Sequence, residues 1–214
     1  MSEVREKIVS MVDIIENRKK TEESSACYKD VPYLKKIESM LEEAKEEDQD
    51  TLTLIYEANE YIAEQYAEMG RFSVAAKYRL RALEGAIKCF KIFDFDVEEI
   101  ESLLYDLLRD RNYFVDDDCE DVKPLLENVL PEDKINTIYQ RRMNRRRNLK
   151  NDPVEMSEEY LAVIDEIDEK IAQNRTFYGM GSCFEIWNLK EEFLLEKGIV
   201  WRSPSLLNPG VMFD

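Results

Sequence analysis

Thr51–Phe93 reads TLTLIYEANEYIAEQYAEMGRFSVAAKYRLRALEGAIKCFKIF, and this stretch decides the fold. Leu52, Ile55, Asn59, Ile62, Tyr66 and Met69 recur at steps of three and four, so they share one face of a helix. Gly70 supplies the left-handed residue that ends such a helix. Beyond it, Ala75, Tyr78, Ala82, Ala86, Cys89 and Phe93 make a second stripe of the same period. Alanines on a contact face let two helix backbones approach closely. The expectation is an antiparallel helical hairpin.

Working outward, the flanks carry the same period. Val4, Ile8, Met11 and Ile15 mark a helix before the hairpin, and Leu34, Ile37, Leu41 and Ala44 mark a second one after Asp30 and Pro32. After the hairpin, Asp96 and Glu99 have the spacing of a capping box ahead of Ile100, Leu103, Leu104, Leu107 and Leu108. Val122–Val129 predicts a short helix, and Pro131 opens another that runs into the basic segment 141–150. Ser157 is placed to cap a helix bearing Tyr160, Ile164, Ile167 and Ile171, and Ser182 with Glu185 to cap the last one, which ends at Lys197-Gly198. The closing segment holds Trp201, Leu206, Leu207, Met212 and Phe213, more apolar area than a free tail needs, so it is expected to pack on the last helices.

The hairpin resembles a tetratricopeptide repeat, a helix–turn–helix unit of about 34 residues. The resemblance rests on Ile62 with Ala63, Tyr66, Gly70, Phe72, Ala75, and Ala82 with Leu83, and it covers one unit. Arg79 stands where that family usually has an aromatic residue. The resemblance implies an all-α chain of stacked antiparallel hairpins in a right-handed superhelix, with an extended, ordered C-terminal tail. The chain then divides as a single helical domain, 1–214, with repeat-like hairpins over 1–150 and a C-terminal helical pair and tail over 151–214.

Composition narrows the function. Asp and Glu number 47 against 30 Lys and Arg, a formal net charge of −17 that repels nucleic acid and anionic membranes and favours basic partners. No apolar run approaches membrane-spanning length, no leader peptide is evident, and the four scattered cysteines form no CxxC pair, which together predict a cytoplasmic protein with reduced thiols. There is no His, so Ser-His-Asp and Cys-His mechanisms as usually built are excluded.

Four clusters carry possible chemistry. Glu57, Glu60, Glu64 and Glu68 form an acidic stripe on the first hairpin helix, and the repeat resemblance implies that this helix lines a peptide groove. Arg141, Arg142, Arg145, Arg146 and Arg147 form a basic patch, but acids at Glu132 and Asp133 and bases at the far end also complement the helix dipole without any ligand. Asp116, Asp118, Glu120 and Glu127 have the spacing of a calcium loop, yet Asp121 stands where glycine is needed. Cys183, next to a helix start, reads as a small buried thiol or a reactive one. Three functions follow. The first is a non-catalytic interaction module binding a basic or amphipathic protein segment, with no cofactor and no membrane partner. The second is a carboxylate-based metal enzyme acting on a phosphorylated small molecule. The third is a nucleic-acid-associated regulator that uses the arginine-rich helix.

Overall fold

In the computed structural model the hairpin forms as the periodicity dictates. Residues 2–21, 24–44, 48–93, 95–114, 119–144 and 149–213 are described, with backbone only for 2, 24–26 and 142–144. Helix α3 (Gln49–Glu68) meets α4 (Phe72–Ile92) through the turn at Gly70, whose φ is +73°. Gly70 N–H donates to Ala67 O and Arg71 N–H to Tyr66 O, both at 2.9 Å, which closes the carbonyls at the end of α3. Asp48 caps α3 by accepting from Thr51 N–H at 2.8 Å. The close approach that the small residues imply is visible at Gly85, where an added Cβ would lie 3.3 Å from Tyr56 Cβ.

Around this hairpin the regular structure of the described residues is all helical, with no strand among them. Before it come α1 (Ser2–Thr21), a 3-10 turn (Ser24–Asp30) and α2 (Val31–Glu43); after it come α5 (Val97–Arg111), a 3-10 turn (Glu120–Leu126) and α6 (Glu132–Asn144). Two cores flank α4. Ala75 and Tyr78 face a cluster with Ile8, Ile15, Leu34, Ile37 and Ile62, while Ala82, Leu83 and Ala86 face Leu103, Leu104, Leu107, Val122 and Leu126. A helix that buries both sides needs small residues on each, which is why α4 is rich in alanine.

A third core belongs to α7 (Glu158–Asn174), α8 (Ser182–Glu196) and the segment after α8. Tyr160, Ile164, Ile167 and Ile171 pack there with Leu194, Ile199 and Trp201. Gly198, at φ +78°, ends α8 with the same pair of bonds as Gly70: Gly198 N–H to Leu195 O and Ile199 N–H to Leu194 O, each at 2.9 Å. This unit is held to the hairpins by Arg71, which is buried between Asp165 and Asp168 of α7. Ser73 Oγ–H adds a bond to Glu155 O at 2.9 Å.

Several local expectations change. Asp30 adopts helical dihedrals and makes no cap; its carboxylate pairs with Arg18 instead. Glu99 accepts from Tyr56 O–H at 2.8 Å instead of reaching back to Asp96, although Asp96 does cap α5. Gly181, at φ +84°, takes the N-cap of α8, so Ser182 is already helical and Glu185 is released for another use. Phe72, at the start of α4, stacks on Tyr113, ring centres 3.6 Å apart. The tail is not extended throughout: Pro204–Leu207 forms a one-turn helix, α9, and Leu206 and Met212 are exposed while Trp201 is buried.

Candidate functional site

The acidic stripe lies on the side of α3 that α1 and α5 flank. Arg5 of α1 reaches Glu57 at 3.5 Å, Lys19 reaches Glu68 at 2.5 Å, and Tyr61 O–H of α3 donates to Glu16 at 2.9 Å. The two ends of the stripe are thus tied to α1, though both carboxylates stay about half exposed. Glu64, between them, is exposed. Glu60 is half-buried, 3.8 Å from the Arg79 guanidinium of α4.

Electrostatics distinguish Glu60 from its neighbours. Burial pushes its carboxyl above the ordinary glutamate value; Arg79 opposes this, and the carboxylates of Glu64, Glu99 and Asp106 add to it. The Tyr56 phenol is raised in the same way, by burial first and then by its bond to Glu99 and the charges of Glu60 and Glu57. Acids from two helices thus lie close enough to act on Glu60.

Beneath that face lies a network that periodicity alone does not reveal. Arg79 is only 2% exposed, and its Nε donates to Asp110 Oδ2 at 3.1 Å. Arg109 Nε donates to the other Asp110 oxygen at 3.0 Å and Arg109 Nη1 to Asp106 at 2.7 Å. Arg79 Nη1 points between Asp106 and Glu60, 3.6 and 3.8 Å away, without a hydrogen bond. Burial raises the Asp110 carboxyl while the two guanidinium groups pull it down. The sequence signal was a charged residue on each apolar stripe, Arg79 in α4 and Asp110 in α5. Arg79 is here a charged strut among three helices.

The other predicted sites are not brought together with the stripe. Arg141 is exposed on α6; the side chain of Arg142 and all of Arg145, Arg146 and Arg147 lie outside the described residues. Asp116 and Asp118 also lie outside them, while Glu120 pairs with Lys123 and Asp121 with Arg111. Among the described residues no group of three Cys, Asp or Glu could hold a metal ion, and no helix is long and apolar enough to cross a membrane.

A second feature lies beyond the end of the stripe. Glu68 also lines a cleft of about 240 Å³ that runs between the turn 24–30, α7 and α8. No family model matches the chain, and no curated protein or solved structure shows significant similarity to it.

Proposed function

We propose that this chain is a non-catalytic interaction module, built of hairpins stacked in a tetratricopeptide-like manner, that binds a basic or amphipathic protein segment in the cytoplasm. The segment lies along α3 over Glu57, Glu60, Glu64 and Glu68. The observation that carries this reading is geometric: the four glutamates follow one another along α3, with Glu64 exposed and Glu57 and Glu68 about half exposed although Arg5 and Lys19 reach them. Like charges gathered on one face disfavour the unliganded state, and a cationic segment relieves them. The negative field also speeds encounter with a basic partner at low salt.

The test is capture of partners from host lysate by the wild type and by a Glu60→Gln, Glu64→Lys variant, at two salt concentrations. Glutamine is used at position 60 because a lysine there would face Arg79. Loss of partners at low salt, with unchanged helical circular dichroism, is the expected result. Retention of every partner would reduce the stripe to a solvated surface.

A further inference from the structure

We infer that the cleft at the Glu68 end of the stripe takes a large apolar side chain, so that the partner is a basic segment with one hydrophobic anchor at its end. The inference rests on the proposed interaction reading and adds a second, chemically different half to the site. Tyr28, Met69, Ile171 and Ile186 supply the apolar part of the lining, and Glu68, Asp168 and Arg175 line it with them. These two carboxylates are already answered, Glu68 by Lys19 and Asp168 by Arg71, each at 2.5 Å. With both carboxylates paired, the gain from a side chain placed there comes from the apolar walls. The volume suits one side chain: about 150 Å³ can hold a benzene ring, and drug-sized ligands need about 300 Å³ or more.

The rim of the cleft is built, not loose. Glu185, freed from capping, accepts from Thr176 N–H, Thr176 Oγ1–H and Phe177 N–H at 2.6–3.0 Å. Arg175 donates to Phe177 O at 3.0 Å and its guanidinium lies over the Tyr178 ring, 4.3 Å from the centre. Tyr178, which lines the cleft, is 61% exposed, and Phe177 and Met180 beside it are exposed as well. Exposed apolar side chains gathered beside a cleft mark it as a contact surface. Continuity sets the partner's layout. Glu57 and Glu68 are separated by about 16 Å along α3 at 1.5 Å per residue, so the basic stretch spans about eleven helical residues before the anchor.

The experiment uses fluorescein-labelled synthetic peptides of about sixteen residues, with lysines at helical spacing over an alanine background. One carries Phe at its N-terminal end, one carries Phe at its C-terminal end, and one carries Ser at both. Binding is read by fluorescence anisotropy at low and high salt. One Phe peptide is expected to bind about tenfold tighter than the Ser peptide, a gain in line with burying one large side chain. The gain should persist at high salt and vanish in Ala172→Trp, which fills the cleft, and in Tyr178→Ser, whose exposed position tolerates the change. The Glu60→Gln, Glu64→Lys variant should weaken all three peptides at low salt while leaving the ratio between Phe and Ser peptides unchanged. Equal binding of all three peptides, or a Phe gain that survives both cleft variants, overturns the anchor. Undiminished binding of the Ser peptide to the glutamate variant overturns the stripe alone.

Discussion

The Trp201 indole N–H donates to Glu155 Oε1 at 2.7 Å, and both residues are buried. The bond joins the segment after α8 to the 3-10 turn Pro153–Met156, and Lys190 closes the group, 3.6 Å from the same oxygen and over the Trp201 ring. Burial works against the lysine's charge, but Tyr160, Glu155 and Asp168 outweigh it and raise its pKa. Trp201→Phe keeps most of the ring and removes the donor. The expected loss is about 1–3 kcal/mol, the cost of an unsatisfied buried acceptor. A urea melt that matches wild type would show that Glu155 is satisfied by other groups.

Arg79→Met removes one of two cations from the fully buried Asp110. Breaking a buried pair costs about 3–5 kcal/mol; because Arg109 remains, a loss of about 2–3 kcal/mol is expected. The double variant Arg79→Met, Asp110→Leu should be more stable than Arg79→Met alone, since no buried carboxylate is left behind. A double variant no more stable than Arg79→Met would mean that the carboxylate left behind is not the source of the loss.

Acid should loosen the C-terminal unit before the hairpins. Burial raises Asp152 and Asp165, but the bonds to Arg202 and the Val154 amide in the first case, and to Lys35 and Arg71 in the second, outweigh it and hold both below the ordinary aspartate value. Carboxyls held low stabilise the fold above their unfolded values, and that contribution drains away as pH falls from about 4 through the folded ones. Glu60 and Asp110 shift upward, so their effect on the hairpin has the opposite sign and favours the fold at low pH. Hydrogen exchange should therefore rise in 158–174 at a higher pH than in 51–93. Simultaneous loss of protection in both segments would contradict this.

What was legible in the sequence was whatever depends on short separations. The stripes of α3, α4 and α5 follow from a period of 3.6, and the Gly70 turn follows from one residue. What was not legible depends on long ones. Arg79 meets Asp110 across 31 positions and Arg71 meets Asp168 across 97, so only the anomaly of a charge on an apolar face could be seen. Ser182 and Glu185 had correct capping spacing, but Gly181 offered a cap one residue earlier, and the amides of the 176–177 loop claimed the glutamate. For the stripe, spacing placed the four glutamates on one side of α3, but not the cations of α1 that tie down its ends.

The two sides of α4, one against α5 at Ala82 and one against α3 at Gly85, supply the last prediction. Ala82 is fully buried among Leu83, Ala86 and the leucines of α5, so Ala82→Leu adds three carbons where there is no space. Overpacking of this kind costs about 1–3 kcal/mol. Gly85→Ala is the sharper comparison. It gains about 0.8–1.0 kcal/mol of helix propensity, but its Cβ meets Tyr56 Cβ at 3.3 Å and Tyr56 Cα at 3.5 Å. Those atoms belong to the α3 backbone and its first side-chain carbon, so relief requires moving one helix against another. Tyr56 is also held by its bond to Glu99 and by an edge-on contact with Phe95, ring centres 5.4 Å apart. The clash should cancel the propensity gain, leaving Gly85→Ala no more stable than wild type and Ala82→Leu clearly less stable. A Gly85→Ala melt shifted upward by the full propensity gain would show that α3 and α4 are free to separate by a few tenths of an ångström.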